Sequence, residues 1–144
     1  MRFWDSSAIV PLLVNEVSTA SMVTEYLRDP DVIVWWATEV ECVAALARLE
    51  REGSMSGSAM TEALGRLDEL ATAWHEVQPA ARTRQSAIRL LRTHGLRAAD
   101  AFQLAAAIAA AEDVPDSLPL VTMDSRLAVA AEREGFPVVR TKSA

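Results

Sequence analysis

Val32–Trp36 reads VIVWW, an unbroken run of β-branched and aromatic residues. Such a run marks a strand buried on both faces, and strands of that kind belong to parallel sheets covered by helices. The flanks agree. Asp29-Pro30 breaks whatever precedes it. Thr38 stands where a helix N-cap is wanted, and the helix it opens runs to about Glu52, with Gly53 ending it.

Working outward, strand and helix signals alternate. Arg2–Trp4 is a short apolar strand, followed by a helix over Ser6–Val14 in which Pro11 is placed near the first turn, where proline is tolerated. Ser18–Arg28 carries a helical stripe at Met22, Val23, Tyr26 and Leu27. After the VIVWW strand and its helix come a loop, Gly53–Ser58, and an amphipathic helix over Ser56–Trp74. Glu76–Gln78 reads as a short strand, Ala80–Thr93 as an arginine-bearing helix stopped by Gly95, and Ala98–Ala111 as an Ala-rich helix. Pro119–Met123 is a buried strand, Ser125–Glu134 a helix and Pro137–Val139 a last strand. The alternation predicts an α/β fold with a mostly parallel sheet covered on both faces, as one domain over residues 1–144.

Bulk properties narrow the function classes. No apolar run approaches the ~20 residues needed to span a bilayer, and the start of the chain lacks a secretory signal's features. The single cysteine, Cys42, can form no internal disulfide. A cytoplasmic protein without a membrane segment is expected. The net charge is −6, which alone argues against nucleic acid. Its distribution is uneven. From Val77 to Ala99 there is no acid, while Arg82, Arg84, Arg89, Arg92, Arg97 and His94 all fall there. Lys142 is the only lysine.

The carboxylates carry the chemistry. Asp5 follows the first strand and Asp124 follows PLVTM; each, alone, reads as a helix N-cap. If their strands are neighbours, both acids converge beyond the strand carboxyl ends, where open α/β sheets bind ligands. Asp100, in LRAADAFQLAAAI, shares a helical face with Leu104, Ala107 and Ile108, a costly place for a charge unless it is paired. Arg97 is the simplest partner. Glu41, in ATEVECVAALARLEREG, has Arg48 on its own face, and a solvated Glu–Arg pair would explain it. Were all four to meet, their repulsion would favour a bound divalent cation. Hard oxygen donors without imidazole or thiolate select Mg²⁺ or Mn²⁺ over zinc.

WDSSAIV, VECVAALAR, LRAADAFQLAAAI and LVTMDSRL, in this order across the chain, resemble the four motifs of PIN-domain ribonucleases, and most closely those of the VapC-type toxins of type II toxin–antitoxin pairs. The resemblance implies a three-layer α/β/α sandwich with a central mostly parallel sheet. It also implies an endoribonuclease that uses Mg²⁺ or Mn²⁺ and leaves a 5′-phosphate and a 3′-hydroxyl. Asp5, Glu41, Asp100 and Asp124 correspond to the family's four acids and metal ligands. Ser6 stands where a hydroxyl residue usually follows the first aspartate, able to hold a metal-bound water or a carboxylate. Trp4 departs from the smaller aliphatic residue usual there. The implied partners are RNA, a VapB-type antitoxin and a second copy in a homodimer. Trp35, Trp36 and Trp74 are aromatic candidates for the antitoxin interface, and the helix from Arg82 to Arg92 is a candidate contact for the RNA backbone. A housekeeping RNA-processing nuclease of the same family fits the motifs too. A receiver-like or other non-catalytic α/β binding module fits less well: a receiver needs paired acids after its first strand, where Asp5 stands alone, and a lysine after its last, where Lys142 trails the chain.

Overall fold

The computed structural model describes residues 1–140; Lys142 lies outside the described residues. The elements run β1 (Arg2–Trp4), α1 (Ser6–Leu13), α2 (Thr19–Arg28), β2 (Val32–Trp35), α3 (Thr38–Arg51), α4 (Gly57–Ala73), β3 (His75–Val77), α5 (Ala81–Thr93), α6 (Ala98–Ala110), β4 (Leu120–Val121), α7 (Ser125–Arg133) and β5 (Val138–Val139). A single 3₁₀ turn, Pro115–Ser117, precedes β4.

All pairings are parallel, and the sheet order is β3-β2-β1-β4-β5. The chain therefore moves outward from β1 to β3, then crosses back to the other side of β1 for β4 and β5. Alternating side chains build two cores. Trp4, Val32, Val34 and Val121 point to one face, packed by α1, α2, α3 and α4 through Ile9, Leu13, Met22, Leu46 and Leu67. Phe3, Ile33, Trp35 and Leu120 point to the other, packed by α5, α6 and α7 through Leu90, Leu104 and Leu127. The result is the three-layer α/β/α sandwich that the alternation predicts, with a sheet that is parallel throughout.

Several local expectations shift. The VIVWW strand stops at Trp35; the chain turns there toward α3, and Trp36 swings out to 53% exposure. Thr38 is the first helical residue rather than the N-cap, and its buried hydroxyl is taken up by another helix (below). Pro11 lies in the second turn of α1, inside the helix, where it removes one backbone donor. Ser56, in the GSMSGS loop, caps α4 by accepting from Ala59 N–H at 3.1 Å. Trp35 and Trp74 are core residues, so Trp36 alone of the three tryptophans offered for an interface is exposed.

Leu104 is fully buried at the centre of the α5–α7 core. Leu104→Ala should lower unfolding free energy by about 3 kcal/mol or more, as cavity-forming Leu→Ala changes do, read as a drop in the urea midpoint at constant m-value.

Candidate active site

Because the chain reverses direction across the sheet at β1, the carboxyl ends of β1 and β4 lie side by side, the position where open α/β sheets hold ligands. Asp5 comes directly after β1, and its N–H donates to the Val121 carbonyl at 3.2 Å. It stands at the N-cap position of α1, yet its side chain caps nothing. Instead the Ser7 hydroxyl donates to the carboxylate, 2.8 and 3.0 Å from its two oxygens. Ser7 Oγ also accepts from Met123 N–H at 2.9 Å and lies 3.3 Å from Thr122 Oγ1. Ser7 thus ties the acid after β1 to the segment after β4. Asp5 is only 2% exposed. Burial pushes its pKa up to about 7; the Ser7 and Thr122 hydroxyls pull it down, and the charges of Asp124 and Asp100 push it up.

Asp124 is a working N-cap: its Oδ1 accepts from Leu127 N–H at 2.9 Å at the start of α7. Its own N–H donates to Thr122 Oγ1 at 3.0 Å. The capping reading is therefore right for Asp124 and wrong for Asp5.

Asp100 projects from the first turn of α6 into an open cleft of about 420 Å³, lined also by Asp124, Arg97, Met123, Ser125 and Arg126. Among the described residues it makes no ion pair, so the simple Arg97 pairing is not formed. Partial burial and then Asp124 raise its pKa; Arg97 and Arg126 work against the rise.

Glu41 lies one turn into α3, and it pairs with the sheet-facing neighbours rather than with Arg48. Ser6 Oγ donates to its Oε1 at 3.2 Å and Gln103 Nε2 to its Oε2 at 3.0 Å. Gln103, 1% exposed on α6, gives its other amide hydrogen to Thr38 Oγ1 at 3.0 Å, and its Oε1 has no partner. Burial raises the Glu41 pKa, Gln103 and Ser6 oppose that, and Asp100 adds to it.

The four acids therefore share one electrostatic neighbourhood: Asp5 with Asp100 and Asp124, and Glu41 with Asp100. They do not share it equally. Asp100 and Asp124 face the open cleft, Asp5 is buried behind them, and Glu41 sits on the α3 side. Among the described residues no three of His, Cys, Asp and Glu are gathered closely enough to hold an ion between them. The Cys42 thiol, pushed up to about 12 by burial and then by Glu41, Asp5 and Glu39, stays protonated and offers no metal ligand. Ser7 and Gln103 escaped the sequence reading, and Thr38 was read only as a helix cap. A glutamine inside an Ala-rich buried helix was the available signal for Gln103, because a buried amide needs partners; Ser7 gave none, being one of two adjacent serines.

A family model described as PIN domain matches residues 2–133. The chain belongs to the PIN domain family. Two solved structures share the PIN fold seen here. One is PAE2754 from Pyrobaculum aerophilum, 19% identical, with 96% of this chain and 82% of that chain covered at a TM-score of 0.68. The other is FitAcB from Neisseria gonorrhoeae, 21% identical, with 96% of each chain covered at a TM-score of 0.62. No curated protein matches in sequence. PIN domains are in general nucleases.

The buried Asp5 of this PIN domain makes stability depend on pH. Its folded pKa of about 7 lies above the 3.8 of a solvated aspartate. Its favourable contribution is therefore complete below about 4 and is lost as pH rises through about 7. In chelator, Asp5→Asn should match the parent near pH 4. It should then gain on the parent up to about pH 7 and level off at an advantage of up to about 4 kcal/mol. Melting curves across pH 4–8 test this; an advantage that does not grow with pH refutes it.

Proposed function

We propose that this PIN domain is a divalent-metal-dependent endoribonuclease, the VapC-type toxin of a type II toxin–antitoxin pair. The observation that carries the reading is Asp5, a carboxylate buried at the sheet reversal and pushed upward by burial and by two neighbouring carboxylates. Among the described residues no cation pairs with Asp5 to supply the opposing charge such a group needs when ionised.

The donor set suits a hard cation: carboxylates and hydroxyls, with the only nearby thiol protonated. Magnesium keeps several waters and is bound through one or two carboxylates, so it does not need a cage of three gathered acids. Asp5 and Asp100 would hold it most directly, with Asp124 and Glu41 acting through water or at a second site. When bound, Mg²⁺ or Mn²⁺ would activate and orient the attacking water and neutralise charge on the leaving oxygen of a phosphodiester.

The chain's own groups prepare that site. Ser7 fixes the orientation of Asp5. Ser6 and Gln103 each donate to one oxygen of Glu41, which orients its carboxylate. Arg97 and Arg126 bring positive charge to the mouth of the cleft, where an incoming phosphate meets Asp100 and Asp124. The substrate we infer is RNA.

The partners follow the same reading: a VapB-type antitoxin, and a second copy of the chain. Supporting the homodimer are exposed apolar residues spaced three apart on two helices, Val40 and Val43 on α3 and Ile88 and Leu91 on α5. Trp36 adds to them, lining a recess beside Arg84 and Phe102. Ile88→Glu should shift sedimentation from dimer to monomer. The cytoplasm is the compartment we infer; among the described residues no helix is long and apolar enough to cross a membrane.

RNA cleavage should vanish in excess chelator and return with Mg²⁺. Asp100→Asn should lower kcat/KM about a hundredfold or more and relieve growth arrest on expression. Cleavage that survives chelation would remove the metal from the reading. Cleavage and arrest that survive Asp100→Asn would remove the site.

A further inference from the structure

The cleft holding Asp100 and Asp124 does not end at α7. It opens into a second trough of about 360 Å³, which runs between α7 and the segment His94–Leu96 after α5. The two cavities share Ser125 and Arg126. The far end of the trough is marked by Arg133, and no carboxylate lines it. Arg126 and Arg133 are seven residues apart, two turns along one side of α7, about 10 Å along its axis. Among the described residues neither is held in an ion pair.

One acid lies close by. Glu134 is turned inward and engaged twice: Arg89 Nη2 donates to its Oε1 at 2.8 Å, and His94 Nε2 lies 2.9 Å from its Oε2. His94 is itself buried. Glu134 is thereby kept from opposing an anion in the trough. The same bond removes Arg89 from the surface charge of α5, and Arg82 is likewise paired, with Asp113. Two of the four arginines in the basic helix that the sequence singles out are thus already neutralised. The unpaired charge adjoining the carboxylate cleft lies on Arg97, just before α6, and on Arg126 of α7, and only α7 carries it on into the trough, through Arg133.

We propose that the RNA strand leaves the cleft along α7, with Arg126 and Arg133 contacting successive parts of its phosphate backbone. This inference rests on the nuclease reading above. The contacts are to phosphate, so they position the strand and do not read its bases. They also reconcile a net charge of −6 with a polyanionic substrate, since only a narrow strip of the surface needs to be basic.

The test uses a short fluorescent single-stranded RNA and the full chain. Arg133→Glu should weaken binding about tenfold in anisotropy titrations. Arg133→Gln should reduce the slope of log K against log salt by about 0.7, the value for one lost phosphate contact on a single strand. In Mg²⁺ the loss should fall on KM, with kcat changed less than about twofold, because Arg133 lies outside the carboxylate cleft. Arg51→Glu, at the end of α3, serves as the charge control and should leave binding and salt slope unchanged. Unaltered binding and salt slope in both Arg133 variants, with wild type still cutting RNA, overturns the α7 path and leaves the nuclease reading standing. An equal loss in Arg51→Glu also overturns the path, since net charge alone would then account for it. A wild-type chain that neither binds nor cuts RNA overturns both.

Discussion

Asp5 is a carboxylate at 2% exposure, placed after β1, where the chain's path across the all-parallel sheet changes sides. Burying it costs free energy that a neutral residue would not. The fold answers with Ser7, whose hydroxyl faces the carboxylate while accepting from the backbone beyond β4. That arrangement only partly satisfies the group, as its pKa of about 7 records. The rest of the site is organised around this incomplete solution. Asp124 and Asp100 raise the burden on Asp5, and the basic residues at the cleft mouth act on Asp100 rather than on Asp5. That concentration of partly satisfied carboxylates is what the proposed divalent cation would relieve.

The layered fold was legible in the sequence because its signals are periodic. VIVWW, RFW and PLV are apolar on both faces, and each is followed by a helix with a cap or a stop. The exceptions are local. Trp36 belongs chemically to the VIVWW run, yet the turn into α3 takes it out of the sheet. Pro11 is held in the interior of α1 by tertiary packing that overrides its local preference.

That Asp5, Glu41, Asp100 and Asp124 come near one another was legible in the sequence, whereas the side chains that hold them were not. Asp100 stood out because a charge on the face of Leu104 and Ala107 demands a reason. Ser7 did not, because its role is a contact across 115 residues between Ser7 and Thr122 that no spacing rule encodes. Gln103 works the same way: it joins α6 to α3 by holding both Glu41 and Thr38. Arg48 and Arg97 were plausible partners by helical spacing; the tertiary arrangement gives Glu41 to Ser6 and Gln103 and leaves Asp100 in the field of Arg97 without an ion pair to it.

Each face of the sheet is covered by a continuous stretch of chain: α1 through α4 on one side, α5 through α7 on the other. The acids are drawn from both stretches, Asp5 and Glu41 from the first, Asp100 and Asp124 from the second. A nascent polypeptide emerging from the ribosome can cover the first face early. It cannot bring Asp124 beside Asp5 until β4 has slotted in against β1. Until that pairing forms, the first stretch holds Asp5 and Glu41 without Asp124 beside them, so the shared acidic neighbourhood belongs to the closed sheet and to neither stretch alone.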